Sequence, residues 1–268
     1  MKNFIRVIVL ILIVSGIGFY VFWTNTTNDM TRYDDLVNSL NEGYLNFDEE
    51  VSILKYNFSD ESILINAIHD ANSDIYYASE NIKYKKNGLG ITTVYLDYNY
   101  KSNGIVDKGQ SNLVQEDTKL AIEEIISNIN QNQSQSLMAL EIHDELINLV
   151  EYDYENYLAD TLSDESYTAY GALVNNVAVC DGYSKAYMVL LEAVGIESHY
   201  VGSEAMDHSW VIAKLDGKYY HIDITWDDPV ALYGRGYIKT LTHDYFMLSD
   251  EEISVDHYGF SDTLPKCE

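Results

Sequence analysis

Basic residues are scarce in this chain: 16 Lys and Arg stand against 43 Asp and Glu, a formal charge of −27 over 268 residues. A nucleic-acid binder neutralises phosphates with cations, so this balance excludes nucleic acid as a partner and reads as an acidic, solubilising surface. Cysteine is nearly absent, with Cys180 and Cys267 the only two, which leaves room for one disulfide at most. Tryptophan is missing between Trp23 and Trp210, and no internal repeat is present. Apolar residues are not lacking. They make up 47% of the chain, with 24 tyrosines among the aromatics, enough to build a packed core and to exclude disorder throughout.

The opening segment, "MKNFIRVIVLILIVSGIGFYVFWTNTTND", sets Lys2 and Arg6 before an uncharged stretch from Val7 to about Trp23. That length is near the lower limit for a membrane-spanning helix. Phe19, Tyr20, Phe22 and Trp23 at its exit suit a membrane interface. Residues 1–28 are therefore expected to form a single-pass signal-anchor, with the N-terminus cytoplasmic and the remaining domains extracytoplasmic. Gly16 and Gly18 also allow cleavage after Gly18 and secretion.

Residues 29–135 read as a small α+β module. A helix is expected in "MTRYDDLVNSL", a second in "SDESILINAIHDA" behind the cap-like Ser59, and a hairpin in "DIYYASENIKYKKNGLGITTVYLDYNY" broken at "NGLG". A further helix follows in "LVQEDTKLAIEEIISNI". This module carries no chemical motif, and the polar run "NQNQSQS" is the expected linker to a second domain, 136–268. That domain opens on "LMALEIHDELINLV", with Met138, Ile142, Leu146 and Leu149 on one helix face and His143 and Asp144 at its surface or an interface.

Cys180 sits between an apolar run and "DGYSKAYMVLLEAV", where Tyr183, Tyr187, Leu190, Leu191 and Val194 recur at helical spacing and Gly195 supplies the stop. A cysteine at the N-terminus of a core helix meets unpaired amides and the positive end of the dipole, which favour the reactive thiolate. Downstream, "DHSWVIAKLDGKYYHIDITWDDP" holds a strong turn signal, Asp216–Gly217, between alternating strands at about 208–215 and 218–225. In that register Leu215 faces Lys218, Ala213 faces Tyr220 and Val211 faces Ile222. One face is then apolar: Val211, Ala213, Leu215, Tyr220, Ile222 and Ile224. The other carries His208, Trp210, Ile212, Tyr219, His221, Asp223 and Thr225. Asp223 lies one diagonal step from His208, within reach of a carboxylate–imidazole hydrogen bond. A carboxylate that orients a histidine, which in turn activates a thiol, is the logic of a Cys-His-Asp triad.

The stretches "VCDGYSKAYMVLLEAVGI", "DHSWVIAKLDGKYYHIDITWDDP" and "HDYFMLSDEE" together resemble the bacterial transglutaminase-like family of the papain-related superfamily. The resemblance spans about residues 136–258. It implies an α+β fold with a papain-like core, a Cys-bearing helix packed on an antiparallel sheet, preceded here by the small α+β module and the membrane segment. It further implies a nucleophile at Cys180, a base at His208 and an orienting acid at Asp223. The chemistry would be acyl transfer on a protein or peptide amide through a thioester, without metal or organic cofactor. Water would resolve the thioester by hydrolysis or deamidation, an amine by cross-linking. Two positions depart from the family pattern: no tryptophan stands between Trp23 and Trp210 to bind the oxyanion, so that donor is either missing or replaced by a tyrosine, and Val211 follows the motif tryptophan.

Three other classes are compatible with the residues. One is a binding or scaffold module that keeps the fold without catalysis. A second is a metal hydrolase built on His208, His221 and Asp223 with Asp227 or Asp228 nearby. The third is a structural disulfide from Cys180 to Cys267, although Cys267, next to last, reads more simply as a frayed tail. His257 in "HYG" and Trp226 in "WDDP" read as residues that close the fold by packing.

Overall fold

The computed structural model describes residues 32–56, 61–72, 74–79, 81–88, 90–233, 236–239, 241–260 and 264–268. Among these residues no helix is long and apolar enough to cross a membrane. The expected signal-anchor, 1–28, lies outside them.

Two compact units divide the chain after Tyr98. The first contains helix α1 over 32–46, strand β1 (Glu50–Ser52), helix α2 (Glu61–Asn72) and the hairpin β2 (Lys83–Asn87) and β3 (Gly90–Tyr95). The strands form an antiparallel sheet in the order β1-β3-β2. As the "NGLG" signal predicts, the hairpin closes with Asn87 opposite Gly90. Leu36, Leu40, Ile53, Leu64, Ile68, Ile91 and Val94 fill the core, and Tyr98 ties the C-terminal end of the unit down by donating to the Asp48 carbonyl at 2.7 Å.

The second unit begins with a ribbon, β4 (Lys101–Ser102) and β5 (Ile105–Val106), and helix α3 (Lys108–Asn128). Next come α4 (Gln135–Leu149), β6 (Glu151–Tyr152), α5 (Tyr154–Ala159), α6 (Ala169–Leu173), β7 (Val177–Ala178), α7 (Cys180–Ala193) and β8 (Ser198–Ser203). The chain ends with β9 (His208–Leu215), β10 (Lys218–Ile222), the ribbon β11 (Val230–Tyr233) and β12 (Gly236–Lys239), β13 (Phe246–Leu248) and α8 (Asp250–Ile253). An antiparallel sheet of order β13-β10-β9-β8 is the centre of this unit.

The boundary after Tyr98 differs from the linker expected at 130–136. Helix α3 packs against α6 and α7, and the polar run serves the α3–α4 connection. Ser134 caps α4 by accepting from the Leu137 amide, Glu141 accepts from the Asn130 amide at 3.1 Å, and Asp216 accepts from the Gln135 amide at 3.1 Å. These side chains are spent on helix ends, where orphan amides need acceptors.

The β9–β10 register is the expected one, with Leu215 opposite Lys218, Ala213 opposite Tyr220 and Val211 opposite Ile222. Asp216 and Gly217 both take positive φ, 52° and 90°, as a two-residue turn matched to strand twist demands. The two sheet faces are covered by different parts of the chain. On the Ser209–Val211 face lies α7, whose Ser184 hydroxyl meets that of Ser209 at 3.4 Å. The opposite face, with Val201, Trp210 and Ile212, is buried under Phe260, Leu264 and Cys267. The expectation of one core face and one chemical face is therefore corrected: both are core. Cys267 is not frayed; it is 3% exposed. His143 is likewise buried rather than superficial, between Asp144 (3.0 Å) and Asp227 (3.2 Å).

Candidate active site

Helix α7 places Cys180 as its first residue, after Val179 at the N-cap. The helix starts here because β7 ends at Ala178 and the Val179 amide turns away to donate to the Ser166 carbonyl at 2.9 Å. Gly182, the third residue of the helix, is required by close approach: a Cβ there would lie 2.7 Å from both the Ala178 Cβ and the Ser166 carbonyl oxygen. At the far end, Gly195 takes φ 75°, and the Ile196 and Gly195 amides close on the Leu191 and Glu192 carbonyls in a Schellman motif. Fourteen residues of helix thus aim their positive end at the half-buried Cys180 thiol.

His208 opens β9 opposite Ser203 of β8, and Asp223 follows the last residue of β10. The structure joins them, with His208 Nε2 and Asp223 Oδ2 2.6 Å apart. The Cys180 thiol acts electrostatically on the same ring. Burial pulls the His208 imidazole down, but its bond to Asp223 and its interaction with Cys180 outweigh burial and push it up to about 10. Asp223 is fully buried, which opposes its charge, yet the bonds from His208 and His257 hold the carboxyl below its ordinary value. Its other oxygen accepts from the Thr225 and Trp226 amides at 3.0 and 3.1 Å. Of the three residues named from sequence, His208 and Asp223 are thus hydrogen-bonded, and Cys180 acts on the same imidazole.

Aromatic rings wall the site. Trp210 stacks on His208 with centroids 5.8 Å apart, and Trp226 lies 5.6 Å from the same ring. Tyr152 is paired with Ala178, two residues before Cys180, in the parallel β6–β7 ladder. Burial first, and then the charges of Cys180, Tyr157, Asp207 and Asp223, drive its phenol well above the ordinary tyrosine range, so it remains a hydroxyl donor.

Sequence reasoning missed His257. It is 1% exposed, and its Nε2 shares Asp223 Oδ2 at 2.9 Å while its Nδ1 meets Asp256 Oδ1 at 2.7 Å. No periodicity marks it. The one local signal is an acidic residue directly before a histidine, which says nothing of a partner 34 residues upstream. The metal reading required His208, His221 and Asp223 to converge, but His221 turns to the other cluster, accepting from Trp210 Nε1 at 2.9 Å and meeting Asp250 at 3.1 Å. Both cysteines are free thiols, so the disulfide reading fails as well.

Residues 123–224 match the family model described as the transglutaminase-like superfamily. A search of curated proteins finds no match. Among solved structures the chain is similar to a TGase at 16% identity and a TM-score of 0.38, covering 67% of this chain and 51% of that one. It is also similar to a proposed cysteine protease from Cytophaga hutchinsonii, at 17% identity and a TM-score of 0.31, over 60% of this chain and 65% of that one. A third similarity is to a proposed protease from Parabacteroides distasonis, with 14% identity, a TM-score of 0.28, and coverage of 53% and 35%. The chain thus spans about half the length of the TGase it matches. The matched segment carries α7, β9, β10 and the residues Cys180, His208 and Asp223 within a mixed helix-and-sheet protein.

Proposed function

We propose that the protein is a thiol enzyme that acts on protein or peptide amide bonds by acyl transfer through Cys180. The observation that carries this reading is the 2.6 Å bond between His208 and buried Asp223, on an imidazole that also interacts with a half-buried thiol at a helix N-terminus. In the reaction the Cys180 thiolate attacks the amide carbonyl carbon, and the C–S bond forms as the carbonyl electrons move onto oxygen. The Cys180 amide, and the Tyr152 hydroxyl in place of the family's tryptophan, stabilise that oxyanion. Collapse breaks the C–N bond while the His208 imidazolium gives its proton to the departing nitrogen. Water or an amine then attacks the thioester, His208 takes the proton back, and the thiolate is released. Water yields hydrolysis or deamidation, and a lysine amine yields a cross-link.

The uncharged run behind Lys2 and Arg6 supports a place for this chemistry outside the cytoplasmic membrane, on a membrane-anchored or secreted chain. Alkylation of the full chain by a chloroacetamide, followed across pH in the parent and in His208→Ala, tests the reading. The expected result is a Cys180 that reacts below pH ~8.5, where free thiols are mostly protonated, and that slows at least about tenfold without His208. An inert Cys180, or equal rates in the two proteins, would reassign the domain as a non-catalytic binding module. Peptide amides with and without a primary amine then separate hydrolysis from cross-linking.

A further inference from the structure

His257 has both ring nitrogens against carboxylate oxygens, Nε2 on Asp223 at 2.9 Å and Nδ1 on Asp256 at 2.7 Å. A neutral imidazole has one N–H and one lone pair, so one of these contacts would set a lone pair against a carboxylate. Both are satisfied only when the ring carries two protons. The contrast is His221, whose Nδ1 accepts from the Trp210 indole while its Nε2 meets Asp250, an arrangement a neutral ring satisfies. We infer that His257 is a positioning residue for the thiol chemistry: a buried imidazolium that shares Asp223 with His208, fixing that carboxylate and offsetting its charge. The inference rests on the reading of Cys180 as the nucleophile.

Two consequences follow for the site. Asp223 receives two backbone amides on one oxygen and two imidazole rings on the other, so it cannot rotate. The His208 ring it holds is fixed with it. The second consequence is electrostatic. One buried negative charge serves two cationic rings whose centroids are 5.7 Å apart, so His208 holds its proton less tightly than Asp223 alone would make it. An acid that must hand a proton to a leaving nitrogen gains from that. The titratable groups facing His257 are Asp223 after β10, Asp256 after α8, His208 of β9, Tyr245 before β13 at 5.5 Å, and His221 of β10, which feels its charge. Trp226 at 4.2 Å and the Trp210 ring edge-on at 4.8 Å close the ring off from water.

The test uses the full chain with His257→Gln, which keeps an N–H donor for Asp223 and removes the charge. The high-pH step of the Cys180 alkylation profile, set by loss of the His208 proton, should move up by about one to two pH units, the order for a unit charge removed at about 6 Å. Asp256→Asn, at a half-exposed position, should move it the same way by less, because it removes the negative charge that holds the second proton on the ring; it decides the matter if the glutamine variant does not fold. Profiles that superimpose on the parent, with only the rate lowered, would reduce His257 to a packing residue and overturn the proposal. NMR of the ring nitrogens of His257 in Cys180→Ala gives a separate decision: two N–H protons are expected near neutral pH, and one overturns the proposal. An unreactive Cys180 in the parent defeats the thiol reading, while the nitrogen count still decides the state of His257.

Discussion

The molecule holds two clusters of cysteine, histidine and aspartate, one at the end of the sheet beside α7 and one beneath the C-terminal segment. In the first, Cys180 is half-buried at a helix N-terminus, and His208, which interacts with it, bonds Asp223 at 2.6 Å. In the second, His221 meets Asp250 at 3.1 Å, and the Cys267 amide donates to the same Asp250 oxygen at 3.2 Å. The residue types are identical. The environments are opposite. Burial, and then the negative Asp250, push the Cys267 thiol up to about 12. Burial also lowers His221 despite Asp250, leaving a neutral ring that accepts the Trp210 N–H. A nucleophile therefore needs more than the right residues in reach; it needs access, a stabilised anion and a cationic partner, and the second cluster has none of the three.

The largest contrast to test is between the two thiols. At pH 8 a thiol titrating near 12 is about 10⁻⁴ ionised, so chloroacetamide should label Cys267 in the folded protein at least ~10³-fold more slowly than Cys180. Peptide mapping by mass spectrometry after timed labelling measures the ratio. Comparable labelling of the two would erase the distinction and with it the case for Cys180.

Asp223→Asn should then bring the first cluster toward the second. It keeps the shape but removes the charge that holds the imidazolium, and labelling of Cys180 near neutral pH should fall by about 10²-fold or more. Stability should respond to pH with opposite signs at the two partners of this pair. His208 is raised in the folded state, so its contribution is complete below its unfolded value of ~6.5 and is lost as pH rises toward about 10. Asp223 is lowered, so its contribution is present above ~3.9 and is lost as pH falls through its folded value. Thermal unfolding against pH should show an alkaline decline above pH ~6.5 that Asp223→Asn flattens. A decline of equal slope in the variant would mean that the pair contributes nothing to the fold.

The part of this organisation legible in the sequence is the local part. Asp216–Gly217 determined the hairpin register, and that register placed His208 and Asp223 on one side of the ribbon with no tertiary information. The helix after Cys180 was readable from Tyr183, Tyr187, Leu190 and Gly195, all of which serve α7 as expected. Long-range coverage was not readable. Alternation assigns two faces but does not say that the C-terminal residues return to bury the second, so His221 shared a face with His208 on paper and a different cluster in space. His257 belonged to the same blind spot, since its value lies in a partner 34 residues away. The polar run at 130–136 misled for a different reason, because capping and linking use the same residue types.

The smallest effect on the site should come from His221→Ala. Among the described residues this ring is a structural bridge, joining the Trp210 indole to Asp250, whose own amide bonds the Cys267 carbonyl at 2.9 Å and so pins the C-terminal segment over the sheet. Its removal leaves the Trp210 N–H and a cavity unfilled, a loss of about 2–4 kcal/mol in global stability by chemical denaturation. Because His221 is lowered in the fold, its contribution is present above ~6.5 and fades as pH falls, the reverse of His208, so the variant should lose least at acid pH. Cys180 labelling should stay within about twofold of the parent, since the shared neighbour Trp210 only stacks on His208 and makes no hydrogen bond to it. A larger change would mean that the two clusters are coupled through the Trp210 ring, and that the second cysteine, histidine and aspartate set tunes the first rather than merely closing the fold behind it.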